Sequence, residues 1–285
     1  MRLMRVGSPG EETPVVCADG TTWLDARPVV SDYGPEFFAG DGIARLREAI
    51  AGGALAPVNV DGERIGPPLV RPPSMLCIGM NYAAHAAESG ALPPEEIVVF
   101  FKKTNTVTGP HDAIHAVQAE STLDWEVELG VVIGAPLFGE VEEETAMQAV
   151  AGYVLANDLS DRWLQLDRSG GQWSKGKSFP GSGALGPWIA TTDEIPDPQA
   201  LGLRSWVNDE PRQASTTADM VFAVARILTD LARVMALEPG DVILTGTPEG
   251  VALSGRFPYL SRGDTVRMTI DGLGEIVQTV GPPAL

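Results

Sequence analysis

The spacing of apolar residues along the chain predicts more strands than helices. Helical spacing occurs over residues 42–51 and, most clearly, over 220–231, and an alanine-rich stretch at 81–90 predicts a short helix that ends at Gly90. Alternating or β-branched runs predict strands at 15–17, 21–24, 75–79, 97–101, 125–133, 152–157, 241–244, 265–270 and 275–280. The elements do not follow a regular βαβ order, so we predict a strand-rich α+β fold.

Prolines divide the chain near residue 70. Pro67-Pro68 and Pro72-Pro73 lie on either side of Arg71, as expected of a linker or of a rigid start to a new unit. We therefore predict a small N-terminal β-rich domain over residues 1–70 and a catalytic domain over residues 71–285.

Composition and charge narrow the class of partner. The chain has 285 residues, of which 44% are hydrophobic and 20% charged, so it can form a full core. Its 38 acidic and 20 basic residues give a net charge of −18, which repels nucleic acid and anionic membranes, and we expect neither as a partner. A small anionic substrate is compatible with this charge, because a bound cation can reverse the field in one pocket.

The cysteines and the N-terminal segment predict a cytoplasmic protein. Cys17 and Cys77 are far apart and form no CxxC motif, which fits a reducing compartment. The first residues lack the apolar segment of a signal peptide, and no apolar run in the sequence reaches the roughly 18 residues of a membrane span.

Two glutamates lie one residue apart at the start of a predicted buried strand. Glu126 and Glu128 point to the same side of that strand, because side chains alternate with a period of two. Side by side they repel each other, and a divalent cation with oxygen ligands between them would relieve the repulsion. The alternative is an exposed edge strand with two solvated glutamates, which this tripeptide taken alone favours.

A third carboxylate, Asp158, ends another predicted strand some thirty residues later. Three carboxylates suit Mg²⁺ or Mn²⁺ and leave coordination positions for water or substrate. Asp158 could equally be the N-cap of a helix that begins at Leu159.

His85 and Glu88 are three residues apart on the predicted short helix and therefore share a face. Such a pair can work as a base, because the carboxylate orients the imidazole and the imidazole takes a proton from water. Lys177, in a glycine-rich and aromatic segment, can stabilise a developing anion, or it can be a solvated loop lysine. The turn at residues 245–250 can bind a carboxylate, or it can be an ordinary surface turn.

In their order along the chain, these segments resemble the fumarylacetoacetate hydrolase family over roughly residues 70 to 280. The resemblance rests on IGMNY at 78–82 with His85 and Glu88, FFK at 100–102, DWEVEL at 124–129, ND at 157–158, Arg162, Gln165, QW at 172–173, KGK at 175–177, GPW at 186–188, VN at 207–208 and PGDVILTGTP at 239–248.

The resemblance implies a mixed β-sandwich roll, usually as a homodimer, and a small anionic 2-oxo-acid substrate. It implies an Mg²⁺ or Mn²⁺ site formed by Glu126, Glu128 and Asp158. Three further residues would be catalytic, with His85 activating water under the orientation of Glu88 and Lys177 steadying the oxyanion. Substrate would be bound by Arg162, Gln165 and Thr247. The segment with His85 and Glu88 can be a mobile lid, with boundaries at Gly90 and at Pro93-Pro94.

For function, the resemblance favours hydrolysis of the C–C bond of an acylpyruvate or 2,4-diketo acid to pyruvate and a carboxylic acid. The alternatives use the same metal–enolate chemistry: decarboxylation of oxaloacetate, or isomerisation or hydration of a 2-hydroxymuconate-type diacid. A non-catalytic binding relative is a third class. After Lys177 many members have an acidic residue and an aromatic residue, whereas residues 178–184 here are small or apolar, which predicts a different pocket wall.

Overall fold

A computed structural model describes residues 1–118 and 121–283 of the chain. Seventeen strands are assigned in these residues: β1 Arg2–Val6, β2 Thr13–Cys17, β3 Trp23–Asp25, β4 Met75–Gly79, β5 Val98–Phe101, β6 Val107–Thr108, β7 Leu123–Asp124, β8 Val127–Ile133, β9 Val150–Asp158, β10 Ser160–Asp161, β11 Gly183–Leu185, β12 Ile189–Thr191, β13 Gly202–Val207, β14 Glu210–Thr216, β15 Val242–Leu244, β16 Thr265–Ile270 and β17 Gly274–Thr279.

Six α-helices accompany the strands over the same ranges: α1 Pro35–Ala39, α2 Gly42–Ala51, α3 Ala83–Glu88, α4 Glu143–Gln148, α5 Ser174–Lys177 and α6 Val224–Val234. A π-helical segment, Trp163–Asp167, follows β10. Among the helices of residues 1–118 and 121–283, none has the length and apolar character needed to cross a membrane.

One large mixed sheet runs through the molecule. Its strand order is β3-β2-β1-β12-β9-β8-β15-β4-β5, and β11 pairs with both β9 and β6. A second sheet of four antiparallel strands, in the order β14-β13-β16-β17, shares a hydrophobic core with β8 and β9. This arrangement confirms the predicted strand-rich α+β fold with a mixed β-roll.

Strand β8 lies at the centre of the large sheet because its side chains are apolar toward both faces. Val127, Leu129 and Val131 belong to the core beneath the four-stranded sheet, whereas Val132 belongs to the core on the opposite face. Such a doubly buried strand needs apolar residues at almost every position, and Glu128 is the exception. A carboxylate at a buried position of this strand indicates a functional site next to Glu128.

The N-terminal residues extend the large sheet rather than forming a sheet of their own. β1 pairs antiparallel with β12, with Arg2 opposite Ala190, and then with β2. Helices α1 and α2 cover this end through Phe37 and Leu46. The predicted small β-rich region is present, and the division into two domains near residue 70 stays a prediction.

Helix α6 begins later than the sequence predicts. The predicted range was 220–231, but the helix starts at Val224 because the backbone is extended at Met220 (ψ 135°) and at Ala223 (ψ 158°). The Val221 N–H donates to the Asn81 carbonyl oxygen at 2.8 Å, and the Phe222 N–H donates to Asn81 Oδ1 at 2.8 Å. The segment before α6 therefore holds the chain where it leaves β4 and approaches α3.

The packing of α6 gives a test of the core. Leu228 is fully buried, so replacing it with alanine removes apolar contacts and leaves a cavity. We expect Leu228→Ala to lower the free energy of unfolding by about 2–5 kcal/mol in urea denaturation. Arg226→Ala on the exposed face of the same helix is the control, with an expected change within about 0.5 kcal/mol. Equal effects of the two variants would contradict the assignment of the buried face.

Candidate metal and active site

The three predicted carboxylates meet at one end of the β8–β9 pair. β8 pairs antiparallel with β9, with Glu128 opposite Ala156 and Val127 opposite Asn157, so Glu126 and Asp158 come together at the same end. Ligand atoms of Glu126, Glu128 and Asp158 all lie within 4.8 Å of one another, and all three residues are buried. The exposed edge strand and the helix N-cap, the two alternatives for these residues, are both wrong.

Two lysines neutralise part of this buried charge. Lys177 Nζ lies 2.6 Å from Glu126 Oε2 and 2.7 Å from Asp158 Oδ2, so its ammonium bridges the two carboxylates. Lys102 Nζ lies 2.6 Å from the other oxygen of Asp158. Both lysines are almost completely buried, and Lys177 is therefore not a solvated loop residue.

Arg162 connects a fourth carboxylate to the cluster. Its guanidinium donates to Asp124 Oδ2 at 2.8 Å, to Glu126 Oε1 at 2.6 Å and to Gln165 Oε1 at 2.8 Å. Asp124 in turn accepts the backbone N–H groups of Ala252 and Leu253 at 2.8 and 2.9 Å. Because every partner is satisfied, this part of the cluster is a rigid support.

Close backbone packing positions Gln165 and Lys177. Gln165 lies on the π-helical segment and Lys177 ends α5, and the two segments touch at Gly176. A Cβ at Gly176 would collide with Gln165 and with the Asp161 carbonyl oxygen, so only glycine permits this approach. π-Helical turns of this kind occur frequently at functional sites.

The environment separates the pKa values of the two glutamates. Burial favours the neutral form of Glu126, but Lys177 and Arg162 outweigh it and hold its pKa below the usual value. Glu128 has no such cation in contact, and burial together with the charges of Asp158 and Glu126 raises its pKa well above 4.5. Burial lowers the pKa of Lys177, but Asp158 and Glu126 reverse the effect and raise it to about 12, so this lysine is protonated.

The cluster fits a divalent cation. The cluster contains four carboxylates and three cationic side chains, and Glu128 is the carboxylate that contacts none of the three cations. The Glu128 side chain accepts a hydrogen bond from the Gly246 N–H at 2.8 Å. Oxygens bound to one Mg²⁺ are at most about 4.2 Å apart, close to the spacing found here. An oxygen-only donor set is the one that Mg²⁺ and Mn²⁺ prefer. The residues therefore fit the predicted ion.

His85 and Glu88 face the same cavity from α3. His85 is buried, and its Nδ1 lies 3.0 Å from Glu88 Oε1. The Gly250 N–H donates to both oxygens of Glu88, at 3.1 and 3.0 Å, and fixes the carboxylate. Asn81 Nδ2 holds the start of the segment by donating to the Thr245 carbonyl oxygen at 2.8 Å. The predicted His–carboxylate pair is therefore formed and anchored at both ends.

A cavity of about 310 Å³ is lined by His85, Glu88, Gln165 and the residues of the cluster except Asp124, Asp158 and Lys102. The lining residues are Ile78, Gly79, Met80, His85, Glu88, Ser89, Ala91, Phe100, Glu126, Glu128, Arg162, Gln165, Leu166, Trp173, Lys177, Thr247 and Leu253. Each of the substrate-binding residues predicted from the sequence is among them. Their contact with a substrate stays a prediction.

The Thr247 side chain is already engaged. Its hydroxyl donates to the Val127 carbonyl oxygen at 3.0 Å and accepts from Gln213 Nε2 at 2.8 Å. The turn at residues 245–250 is almost entirely buried and is not the surface turn of the alternative reading. Within the described residues, the donor that Thr247 can still offer to a ligand is its backbone N–H.

One expectation about the cavity is wrong, and two residues of the cluster were missed. Residues 178–184 do not appear among the described residues that line the cavity; they lie behind Lys177, where Ser182 Oγ donates to the Lys177 carbonyl oxygen at 2.9 Å. The predicted change of the pocket wall is therefore wrong. Neither Asp124 nor Lys102 was assigned a role from the sequence. Asp124 lies two residues before Glu126, so strand alternation places it on the same side as Glu126 and Glu128. Lys102 similarly lies two residues after the buried Phe100.

The chain belongs to the fumarylacetoacetate hydrolase family. Residues 74–281 match the family model described as the C-terminal region of fumarylacetoacetate (FAA) hydrolase. This match includes all nine of the site residues predicted from the sequence.

Proteins that match this chain over its whole length are named for more than one activity. A Burkholderia multivorans protein with a provisional name of hydrolase is 46% identical, with 98% of each chain covered. Maleylpyruvate hydrolase from Sphingobium sp. SYK-6, solved with manganese(II) ion and pyruvate, has a TM-score of 0.81 at 26% identity, covering 99% of this chain and 100% of that one. The 5-carboxymethyl-2-hydroxymuconate delta-isomerase from Mycobacterium smegmatis has a TM-score of 0.75 at 32% identity, with 100% of each chain covered.

The geometry of the carboxylate cluster leads to a prediction about the affinity for a divalent cation. We expect Glu128→Gln to weaken Mn²⁺ binding at least about 100-fold, because it removes a charged ligand, with Glu140→Gln on the surface as the control. The raised pKa of Glu128 also means that Mn²⁺ binding releases a proton, which calorimetry in buffers of different ionisation enthalpy measures. Unchanged affinity in Glu128→Gln would exclude this site.

The same carboxyl makes the stability of the metal-free protein depend on pH. A carboxyl with a raised pKa in the folded state stabilises below its unfolded pKa, near 4.5, and this contribution is lost as pH rises toward the folded value. We therefore expect the melting temperature of the EDTA-treated wild type to fall relative to that of Glu128→Gln between about pH 5 and pH 8. A constant difference between the two proteins would contradict the burial of an unpaired carboxylate.

Proposed function

We propose that the protein is a divalent-metal-dependent hydrolase that cleaves the C–C bond of an acylpyruvate or related 2,4-diketo acid. The observation that carries this proposal is the placement of the anchored His85–Glu88 pair on the same cavity as the buried carboxylate cluster. Hydrolysis needs an activated water and a site that stabilises the leaving enolate, and the cavity has groups suited to both tasks.

The cofactor in this proposal is Mg²⁺ or Mn²⁺ held by Glu126, Glu128 and Asp158. When bound there, the ion would act as a Lewis acid toward the carboxylate and 2-oxo group of the substrate. Lys177, protonated at neutral pH, cannot act as a base, so we assign it to the stabilisation of negative charge. Arg162 holds Glu126 and Gln165 in place through its three hydrogen bonds.

The proton transfers fall to His85. Glu88 accepts the hydrogen bond of His85 Nδ1, so the neutral imidazole carries its free lone pair on Nε2. A water between Nε2 and the distal carbonyl carbon of the substrate would lose its proton to this nitrogen as it attacks. The Gln165 amide group, whose oxygen is engaged by Arg162, has N–H donors left for the substrate, as does the Thr247 backbone.

An isomerase is the second candidate, because the delta-isomerase from Mycobacterium smegmatis has the same fold over its whole length. Isomerisation of a 2-hydroxymuconate-type diacid, or decarboxylation of oxaloacetate, would use the same carboxylate cluster. Neither reaction adds water to a carbonyl. The His85–Glu88 pair would then be less important than the cluster.

Pyruvate release tests the proposal. We expect the Mg²⁺-loaded protein to form pyruvate and one equivalent of carboxylic acid from an acylpyruvate. Removal of the metal with EDTA should abolish this activity. Pyruvate from oxaloacetate alone would assign a decarboxylase. Isomerised diacid without any pyruvate would assign the isomerase.

The base is tested separately. We expect His85→Ala to lower kcat by about 10²–10⁴-fold while Mn²⁺ affinity stays unchanged, because the imidazole activates water and is outside the cluster. His111→Ala, which removes an exposed histidine, is the matched control and should keep full activity. Retention of more than about a tenth of the activity in His85→Ala would remove the base from the mechanism.

A further inference from the structure

The cavity has a charged inner end and an apolar outer wall. Its buried polar lining consists of His85, Glu126, Glu128, Arg162, Gln165, Lys177 and Thr247. The lining residues that are half-buried or exposed are Met80, Ala91, Leu166, Trp173 and Leu253, together with Glu88 and Ser89. Because exposure increases toward the mouth, the part of the substrate that extends from the cluster meets a surface that is apolar apart from Glu88 and Ser89.

No cation in the described lining is free to meet a second carboxylate. The lining contains two residues with permanent positive charge, and each is engaged: Lys177 with Glu126 and Asp158, and Arg162 with Asp124 and Glu126. His85 is paired with Glu88, whose negative charge would repel an anion. A carboxylate at the outer end of a substrate would lose its hydration without gaining a charged partner, which is unfavourable.

The apolar wall has a fixed shape. A Cβ at Gly79 would lie 2.5 Å from the Trp173 ring, so the indole packs directly on the backbone of β4. Trp173 also meets the edge of Phe100 at a centroid distance of 5.7 Å. Leu253 is held through its N–H to Asp124, and Leu166 follows Gln165 on the π-helical segment. The wall side chains are therefore positioned by packing on β4 and Phe100 and by the backbone next to Asp124 and Gln165.

We propose that the acyl group of the substrate is uncharged and apolar, which rests on the proposed hydrolase function. The reaction is R–CO–CH₂–CO–COO⁻ + H₂O → R–COO⁻ + H⁺ + CH₃–CO–COO⁻, with R a hydrocarbon group against Trp173, Leu166 and Leu253. The C–C bond between the distal carbonyl and the methylene breaks, and water supplies the new oxygen and the proton of the methyl group. A cavity of about 310 Å³ is at the small end for ligand sites and suits a short R.

A matched pair of substrates tests this specificity. Pentanoylpyruvate and succinylpyruvate have acyl groups of similar length that end in a methyl group and a carboxylate, respectively. We expect kcat/KM for pyruvate release to be at least about 30-fold higher for pentanoylpyruvate, and to rise about fourfold per methylene from acetylpyruvate upward until the wall is filled. Equal or faster release from succinylpyruvate overturns the apolar acyl group and leaves the hydrolase intact. No pyruvate from any acylpyruvate overturns the hydrolase and this inference together.

A variant that places a cation on the apolar wall tests whether the missing cation causes the preference for an uncharged acyl group. The Leu166 side chain is 47% exposed, so lysine fits there without disturbing the core. We expect Leu166→Lys to raise kcat/KM for succinylpyruvate at least about tenfold, whereas Leu166→Met should leave the ratio between the two substrates within about threefold. Mn²⁺ affinity reports whether the cluster is intact in each variant. If Leu166→Lys binds Mn²⁺ normally but does not gain activity on succinylpyruvate, the missing cation is not the cause of the selectivity.

Discussion

The bridge from the Lys177 ammonium to Glu126 and Asp158 is the interaction on which the rest of the site depends. Three carboxylates within 4.8 Å of one another cannot remain charged in a buried position without cations. Lys177, Lys102 and Arg162 supply most of the charge, and each comes from a different segment of the chain. The cluster therefore holds β5, β8, β9 and the segments after β10 in one arrangement, and the cavity takes its shape from that arrangement.

Local patterns were sufficient where one element determines the position of a residue. Alternation identified Glu126 and Glu128, helical spacing paired His85 with Glu88, and the bounds of α2 and β4 agree with the prediction. The predicted start of α6 was wrong because the backbone before Val224 is extended and hydrogen-bonds to Asn81, which is distant in sequence. A periodic pattern contains no information about such a partner.

The missed residues show a second limit. Asp124 could have been found by extending the alternation by two positions, since it shares a side with Glu126 and Glu128. Its pairing with Arg162 could not, because the contact joins residues 38 positions apart through the fold. The apolar outer wall is similarly hidden in the sequence, since Trp173, Leu166 and Leu253 belong to separate segments and become a surface only when the sheet is assembled.

Within six residues, the turn after β15 contacts the His85–Glu88 pair, the carboxylate cluster and the cavity. Thr245 accepts the bond that anchors Asn81, Gly246 binds Glu128, Thr247 lines the cavity, and Gly250 fixes Glu88. Insertion or deletion of one residue there would displace the His85–Glu88 pair, the Glu128 carboxylate and helix α3 simultaneously. The outer wall has no such coupling, because its side chains make few polar contacts. Single substitutions can therefore change the chemistry of the wall without displacing the turn, whereas a change in the turn alters several parts of the site at once.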